Sequence, residues 1–123
     1  MKKEIYTPEH ERVLAILQEY ASKKKTISYS ELIQKAKLKL DMSIPYDRGQ
    51  IGHLLGDISW NESIDGRPML SSIALHKRGD LQGQGFFELA EKIYGIKLKT
   101  EDAKLVFGMN EMEKTHSYWS TKP

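Results

Sequence analysis

One stretch, Pro68 to His76, has the composition of a β-strand, whereas apolar residues elsewhere recur at helical spacing. A lone strand cannot satisfy its own backbone hydrogen bonds, so this stretch needs a partner. Thr26-Ile27 and Gln82 to Phe86 are candidates, and so is a second copy of the protein. The sequence therefore predicts a mainly helical α+β fold with a short β element.

Helix-start signals divide the remaining chain. Thr7-Pro8 combines a capping hydroxyl with a proline at the first helical position. Ser28 to Glu31 has the spacing of a capping box, and Asp47 is a candidate cap for a third helix. The predicted helices cover residues 8–22, 29–40, 48–61, 86–94 and 101–119. Three glycines in the third helix are attributed to close helix packing: Gly49, Gly52 and Gly56.

Length and composition indicate one domain over residues 1–123, with 39% hydrophobic and 29% charged residues. It comprises a helical half over 5–65, a strand and glycine loop over 66–87, and additional C-terminal helices over 86–120. No apolar run reaches the ~20 residues of a membrane helix. The N-terminus lacks the apolar segment of a signal peptide. We therefore expect a cytoplasmic location, in the host cytoplasm if the gene is phage-encoded, and no membrane partner.

Catalytic and metal-binding patterns are not found in the sequence. There is no cysteine, which excludes disulfides, a thiolate nucleophile and zinc bound through sulfur. His76, Asp80 and Glu88 could converge near the loop, but no spaced histidine pair and no Gly-x-Ser-x-Gly elbow occur. We predict no catalytic residue, no metal site and no cofactor, and hence a non-enzymatic binding protein.

The predicted order is three helices, a strand with a glycine loop, and two more helices. A helix pair followed by a small β element is the plan of winged-helix domains, in which the third helix enters a major groove of DNA. A helix-turn-helix over 28–61 would place Arg48, Gln50 and His53 on the first turns of that helix, where Arg and Gln suit base edges. The net charge of +2 is too small to indicate nucleic acid by itself. The predicted phosphate contacts are Lys35, Lys37, Lys39, Lys77 and Arg78.

Three glycines, Gly79, Gly83 and Gly85, fall within the stretch HKRGDLQGQGFF. A strand, glycines and a helix start can bind an anion through backbone N–H groups. The spacing fits neither a dinucleotide fingerprint, which needs a small residue at Glu88, nor a P-loop. We interpret the glycines as a sharp bend, with a small nucleotide-binding protein as an alternative function.

Methionine and aromatic residues in the last predicted helix support a further alternative, a protein-interaction module such as a phage-encoded inhibitor of a host protein. These residue types are enriched in interfaces, although a stripe at helical spacing also suits a core. Oligomers could form through this helix or through the unpaired strand. The stripe, which we expect to face inward, consists of Leu105, Met109, Met112, His116 and Trp119.

The segment GRPMLSSIALHKRGDLQGQGFFELA, residues 66–90, resembles a pattern in small uncharacterised bacterial and phage proteins. That pattern reads Gly-x-Pro-x-Leu-Ser, an apolar strand, Lys-x-Gly and Gly-x-Gly-Phe-Phe, with a Trp-containing C-terminal helix. The stretch from His116 to Trp119 fits its last part. The resemblance implies a phage or mobile-element context and no particular activity.

The segments ISYSEL, residues 27–32, and IGHLLG, residues 51–56, are similar to the winged-helix part of alkylguanine-DNA alkyltransferase-like proteins. The Pro-Cys-His-Arg motif of that family is absent, which excludes alkyl transfer. The resemblance implies a winged-helix-like core. The order of elements leads us to predict a nucleic-acid-binding module, and the resemblance to the small bacterial and phage proteins implies its phage or mobile-element origin.

Overall fold

The computed structural model of the chain describes residues 2–76 and 81–121. These residues confirm a mainly helical α+β fold with a short parallel sheet. No helix within them is long and apolar enough to cross a membrane. The elements are α1 Pro8–Ser22, β1 Ile27–Ser28, α2 Tyr29–Lys35, α3 Pro45–Ile64, a 3₁₀ helix Leu70–Ile73, β2 Ala74–Leu75, α4 Gln84–Tyr94 and α5 Glu101–Ser120.

The short sheet pairs β2 with β1 in parallel, with Ile27 opposite Ala74 and Ser28 opposite Leu75. Of the predicted partners, Thr26-Ile27 is therefore confirmed through Ile27. The strand predicted over 68–76 is wrong over Leu70–Ile73, which forms the 3₁₀ helix. All four residues of this helix are buried, and it packs against α1, α3 and α5. A segment that is buried on all sides can be apolar in any conformation, so its strand-like composition does not decide between a strand and a 3₁₀ helix.

The winged-helix arrangement is not confirmed. A wing is an antiparallel hairpin that follows the third helix, whereas the sheet in the described part of the chain joins two distant segments in parallel. Residues 77–80, which would form the tip of that wing, lie outside the described residues. Three successive helices are present, as expected. The β element after them pairs with β1, the strand before α2, instead of forming a hairpin.

The predicted starts of the first, second and last helices are confirmed, and each has a side-chain cap: Thr7, Ser28 and Thr100. Thr7 Oγ1 accepts from the His10 N–H at 3.3 Å, and Ser28 Oγ accepts from the Glu31 N–H at 3.2 Å. Thr100 Oγ1 accepts from the Ala103 N–H at 3.0 Å. These starts are specified by local residue types, so local reasoning finds them.

The end of α2 and the beginning of α3 differ from the prediction. Helix α2 ends at Lys35 rather than near Leu40, and α3 begins at Pro45 rather than at Arg48. Asp47 lies inside α3, where its Oδ2 accepts from the Asp41 N–H at 2.8 Å instead of capping the helix. Proline at the first turn of α3 needs no N–H partner, which permits the earlier start.

Glycines in α3 are less crowded than predicted. A methyl group at Gly49 or Gly52 would have no atom within 4 Å, and one at Gly56 would lie 3.9 Å from the Leu89 side chain. Close helix packing therefore does not account for Gly49 and Gly52, and only Gly56 adjoins another helix.

The inward face of α5 is polar. Its buried residues are Gly108, Glu111 and Thr115. Thr115 donates to the Met69 carbonyl at 3.0 Å, and the Glu111 carboxylate accepts from the Met69 N–H at 2.9 Å. Glu111 thereby satisfies the backbone N–H of Met69, and Thr115 adds a second donor to a carbonyl that also accepts from the Ser72 N–H at 3.0 Å.

The predicted apolar stripe of α5 is therefore partly wrong. Met112 and Trp119 pack against the hydrophobic core that α1, α2, α3 and the 3₁₀ helix share. Leu105 and Met109, in contrast, are 42% and 60% exposed. His116 instead binds a loop, because its Nε2 lies 2.9 Å from the Lys25 carbonyl oxygen. The side of α5 that faces the 3₁₀ helix needs hydrogen-bonding groups, and this requirement outweighs the apolar periodicity.

Candidate functional site

A cleft of about 700 Å³ lies between the N-terminal segment, the start of α1, the α2–α3 connection and the middle of α3. Four of the residues predicted to bind nucleic acid line it: Lys37, Lys39, Gln50 and His53. Two come from the connection and two from α3, so the predicted phosphate contacts and base contacts meet at one concave surface.

The floor of the cleft is a hydrogen-bonded chain from Thr7 through His10 to Asp57. The Thr7 N–H donates to His10 Nδ1 at 3.0 Å, so Nδ1 is the acceptor nitrogen of the ring. The proton therefore resides on Nε2, which donates to Asp57 Oδ2 at 2.9 Å. His53 Nε2 lies 3.6 Å from the same oxygen, with its side chain 74% exposed. The chain fixes the orientation of both His10 and Asp57.

His10 and Asp57 were not predicted to belong to a functional site. The available signal was the position of His10, three residues after the Thr7 cap, where a capping box ordinarily has Glu or Gln. A histidine there uses one ring nitrogen for the cap and keeps the other for a distant partner. The partner itself is 47 residues away and has no local sequence signal.

The α2–α3 connection orients the two cleft lysines. Lys37 has a left-handed backbone with φ of 56°, which ends α2, and the Leu38 N–H then donates to the Ile33 carbonyl at 3.0 Å. Leu38 is buried, whereas Lys37 and Lys39 are exposed. Because the side chain of Leu38 is inside, its two neighbours are held outward beside the cleft.

Arg12 is a further cation of the cleft and was not among the predicted contacts. It extends from α1, and its Nε donates to the Ala36 carbonyl at 2.7 Å. This bond attaches the guanidinium to the end of α2, one residue before Lys37. The cleft therefore has three cationic side chains from two neighbouring segments.

Acidic residues reach the cleft from the N-terminal segment, residues 2–7, and from the first turn of α1. Glu4 and Glu9 line the cleft. Asn61 on α3 holds the N-terminal segment through both polar atoms of its side-chain amide. Its oxygen accepts from the Glu4 N–H at 2.8 Å, and its nitrogen donates to the Glu4 carbonyl at 2.9 Å. The cleft is thus of mixed charge, with cations on the side of the α2–α3 connection.

The remaining predicted contacts lie elsewhere. Lys35 ends α2 and Arg48 lies in the first turn of α3, and both are exposed without lining the cleft. Arg48 Nη1 donates to the Met42 carbonyl at 2.8 Å, which fastens the α2–α3 connection. Lys77 and Arg78 lie outside the described residues.

Of the loop glycines, Gly83 and Gly85 are described and Gly79 is not. Gly83 is the residue before α4, and its N–H donates to the Tyr29 hydroxyl at 3.2 Å. A methyl group at Gly83 would lie 2.7 Å from that hydroxyl oxygen, so the glycine permits a close approach to Tyr29. This N–H is directed at the protein itself.

No group of three His, Asp or Glu side chains that could hold a metal ion occurs within residues 2–76 and 81–121. The resemblances to small phage proteins and to the alkyltransferase-like winged helix stay expectations from the sequence. No protein-family model matches the chain, and comparisons with curated proteins and with solved structures also find no match.

Proposed function

We propose that this protein is a non-enzymatic nucleic-acid-binding module whose cleft receives a single-stranded segment. The observation that carries the proposal is the shared location of Lys37, Lys39, Gln50 and His53 on one cleft. Lysines provide phosphate contacts, and amide and imidazole groups can hydrogen-bond to base edges. We further propose that it acts in the cytoplasm, that of the host if the gene is phage-borne.

The concave shape favours a single strand over a duplex. A helix that reads the major groove must protrude from the protein, whereas Gln50 and His53 on α3 line a depression. An unpaired base can enter a depression of this size and be read on its exposed edges. The carboxylates of Glu4 and Glu9, which also line the cleft, would repel a second phosphate backbone, which also favours one strand.

The hydrogen bonds that His10 makes at the floor of the cleft support binding rather than catalysis. Both ring nitrogens of His10 have partners: Nδ1 accepts from the Thr7 N–H, and Nε2–H donates to the Asp57 carboxylate. A general base needs a free lone pair within reach of a substrate proton. The chain from Thr7 to Asp57 instead joins α1 to α3 and shapes the cleft.

Fluorescence anisotropy with labelled single-stranded DNA, single-stranded RNA and duplex DNA, each at several salt concentrations, tests the proposal. We expect salt-dependent binding that is tighter for a single strand. The double variant Lys37→Ala/Lys39→Ala should weaken it and reduce the slope of log K against log salt by about 1.4, since each phosphate contact on a single strand contributes ~0.7.

The chain supplies a matched control, because the tripeptide Lys-Leu-Lys occurs again at Lys97 to Lys99. Leu98 is partly buried, and the lysines on either side of it are exposed, as Lys37 and Lys39 are. Lys97→Ala/Lys99→Ala makes the same charge change away from the cleft and should leave the slope unchanged. Equal losses in both double variants, or no binding at low salt, would contradict the proposal.

A second candidate function, a protein-interaction module, is favoured by the outer face of α5. Leu105, Val106 and Met109 are 42%, 57% and 60% exposed on neighbouring positions of that helix. Exposed methionine and aliphatic side chains are common in binding surfaces. Light scattering of the wild type and of Val106→Glu/Met109→Glu tests self-association: a dimer that the variant converts to a monomer would support this function.

A further inference from the structure

A second cleft, of about 730 Å³, lies beside α5 and contains a buried carboxylate. Glu111 is 1% exposed and lines this cleft together with Lys114. Its Oε2 accepts two hydrogen bonds, from the Met69 N–H at 2.9 Å and from the Tyr94 hydroxyl at 2.5 Å. Its Oε1 has no hydrogen-bond partner among the described residues.

A carboxylate oxygen that is buried without a donor is unfavourable, because it has lost its hydration and gained nothing in exchange. Lys114 forms an ion pair with this carboxylate, but its Nζ lies 3.8 Å from Oε1, beyond hydrogen-bond distance. That side chain is 64% exposed and its Nζ lies 5.8 Å from the centre of the Tyr94 ring. The ion pair is thus loose, and it marks a position where the surroundings favour positive charge.

The walls of the cleft suit a short alkyl chain. Pro68, Phe107 and Tyr118 provide apolar and aromatic surface, and Asn110 and Ser117 provide polar groups at the side. An aromatic ring face attracts a cation through its quadrupole. A ligand with an apolar stem and a positively charged end would therefore match both the walls and the carboxylate.

The hydrogen bonds that Glu111 already accepts favour an ammonium over a guanidinium as its ligand. A guanidinium binds a carboxylate best as a two-pronged fork, which requires both oxygens. Oε2 of Glu111 already accepts two donors, so one oxygen remains. An ammonium is a compact donor that needs a single acceptor, and an anion would be repelled by Glu111 and Glu113. We propose that this cleft binds an alkylammonium group, which donates to Glu111 Oε1 and displaces the Lys114 ammonium.

The test measures binding of butylammonium to the full chain by titration of amide chemical shifts, with neutral butanol as the ligand of matched shape. A blocked lysine amide, tested in parallel, distinguishes a lysine side chain of a protein from a free amine as the source of the group. We expect saturable binding of at least one of the two ammonium ligands, with shifts at residues 110–118, and none for butanol.

Two variants of opposite expected effect complete the test. Glu111→Gln keeps an acceptor for Met69 and Tyr94 but removes the charge, and should weaken ammonium binding about tenfold or more. Lys114→Met removes the resident cation with little change of shape, and should tighten binding several-fold. Lys114→Met keeps the test decisive even if Glu111→Gln does not fold. Failure of both ammonium ligands to bind wild type and Lys114→Met, or equal binding of butanol, overturns the proposal.

Discussion

His10 on α1 donates a hydrogen bond from Nε2 to the Asp57 carboxylate on α3, at 2.9 Å, and its other ring nitrogen accepts from the Thr7 N–H. Both partners are largely buried, with 7% and 15% of their side chains exposed. One imidazole therefore joins the cap of α1 to the middle of α3. Because the cleft lies over this connection, its shape and the stability of the fold depend on the same bond.

We expect Asp57→Ala to lower the free energy of unfolding by about 1–3 kcal/mol, because it leaves the buried Nε2–H group of His10 without an acceptor. Urea denaturation followed by circular dichroism measures the change. His53→Ala is the control, because the His53 side chain is exposed and its Nε2 lies 3.6 Å from the same carboxylate oxygen, too far for a hydrogen bond. Its effect should stay within about 0.5 kcal/mol. Equal unfolding midpoints for wild type and Asp57→Ala would contradict the structural role.

Two glycine-to-alanine changes should have opposite signs. Gly95 ends α4 with a left-handed backbone, φ 66° and ψ 36°, whereas Gly52 lies inside α3. A methyl group meets nothing within 4 Å at either position, so only the backbone distinguishes them. We expect Gly95→Ala to cost about 1–2 kcal/mol and Gly52→Ala to stabilise by about 0.5–1 kcal/mol. Thermal and urea unfolding measure both, and a destabilising Gly52→Ala would indicate an unrecognised contact on α3.

Helix starts and the class of the fold follow from the sequence because caps are local. Thr7, Ser28 and Thr100 each accept from a backbone N–H three residues on, which is a distance that sequence spacing can express. Gly95 likewise ends α4 as its residue type indicates. The inward face of α5 does not follow, because Glu111 and Thr115 are selected by Met69 and Ser72, more than forty residues earlier.

The candidate cleft could be predicted in part for the same reason. Four of its residues lie within 37–53, and their proximity in the sequence is enough to predict that they share one surface: Lys37, Lys39, Gln50 and His53. The wall formed by the N-terminal segment depends on Asn61, and the floor depends on Asp57, both distant from their partners. Concavity results from such long-range bonds, which explains why a protruding recognition helix was expected where a depression is found.

Alkaline pH should destabilise the fold partly through Tyr94. Burial, and after it the hydrogen bond to Glu111, raise the pKa of the Tyr94 phenol above its ordinary value of 10. Between that value and the folded-state pKa, the unfolded chain binds fewer protons than the folded one, so stability present below pH 10 is lost as the pH rises. Urea unfolding at a series of pH values measures this loss.

The matched variants for this titration are Tyr94→Phe and Tyr46→Phe. Tyr94→Phe should make the alkaline decline of stability shallower, although not flat, because burial also raises the pKa of Tyr6 and Tyr29. Tyr46→Phe removes an exposed phenol and should keep the wild-type slope. Identical slopes for wild type and Tyr94→Phe would show that the Tyr94 phenol does not contribute to the decline.

Gly108 on α5 should be intolerant of a side chain because of Gln82. A methyl group there would lie 2.5 Å from Gln82 Oε1 and 3.2 Å from its Cδ. The amide cannot move away without loss, since its Nε2 donates to the Ser72 carbonyl at 2.7 Å in a buried position. We expect Gly108→Ala to destabilise by about 1–3 kcal/mol, through overpacking and the weakened bond to Ser72.

A double-mutant cycle separates this collision from a general effect of the helix position. Gln82→Ala removes the amide and leaves room for the methyl group of Gly108→Ala. In that background Gly108→Ala should cost much less, or even stabilise α5, because alanine is the better helix former. The free energies of unfolding of the four proteins give the coupling between the two residues. The same cost in both backgrounds would place the cause outside the contact with Gln82.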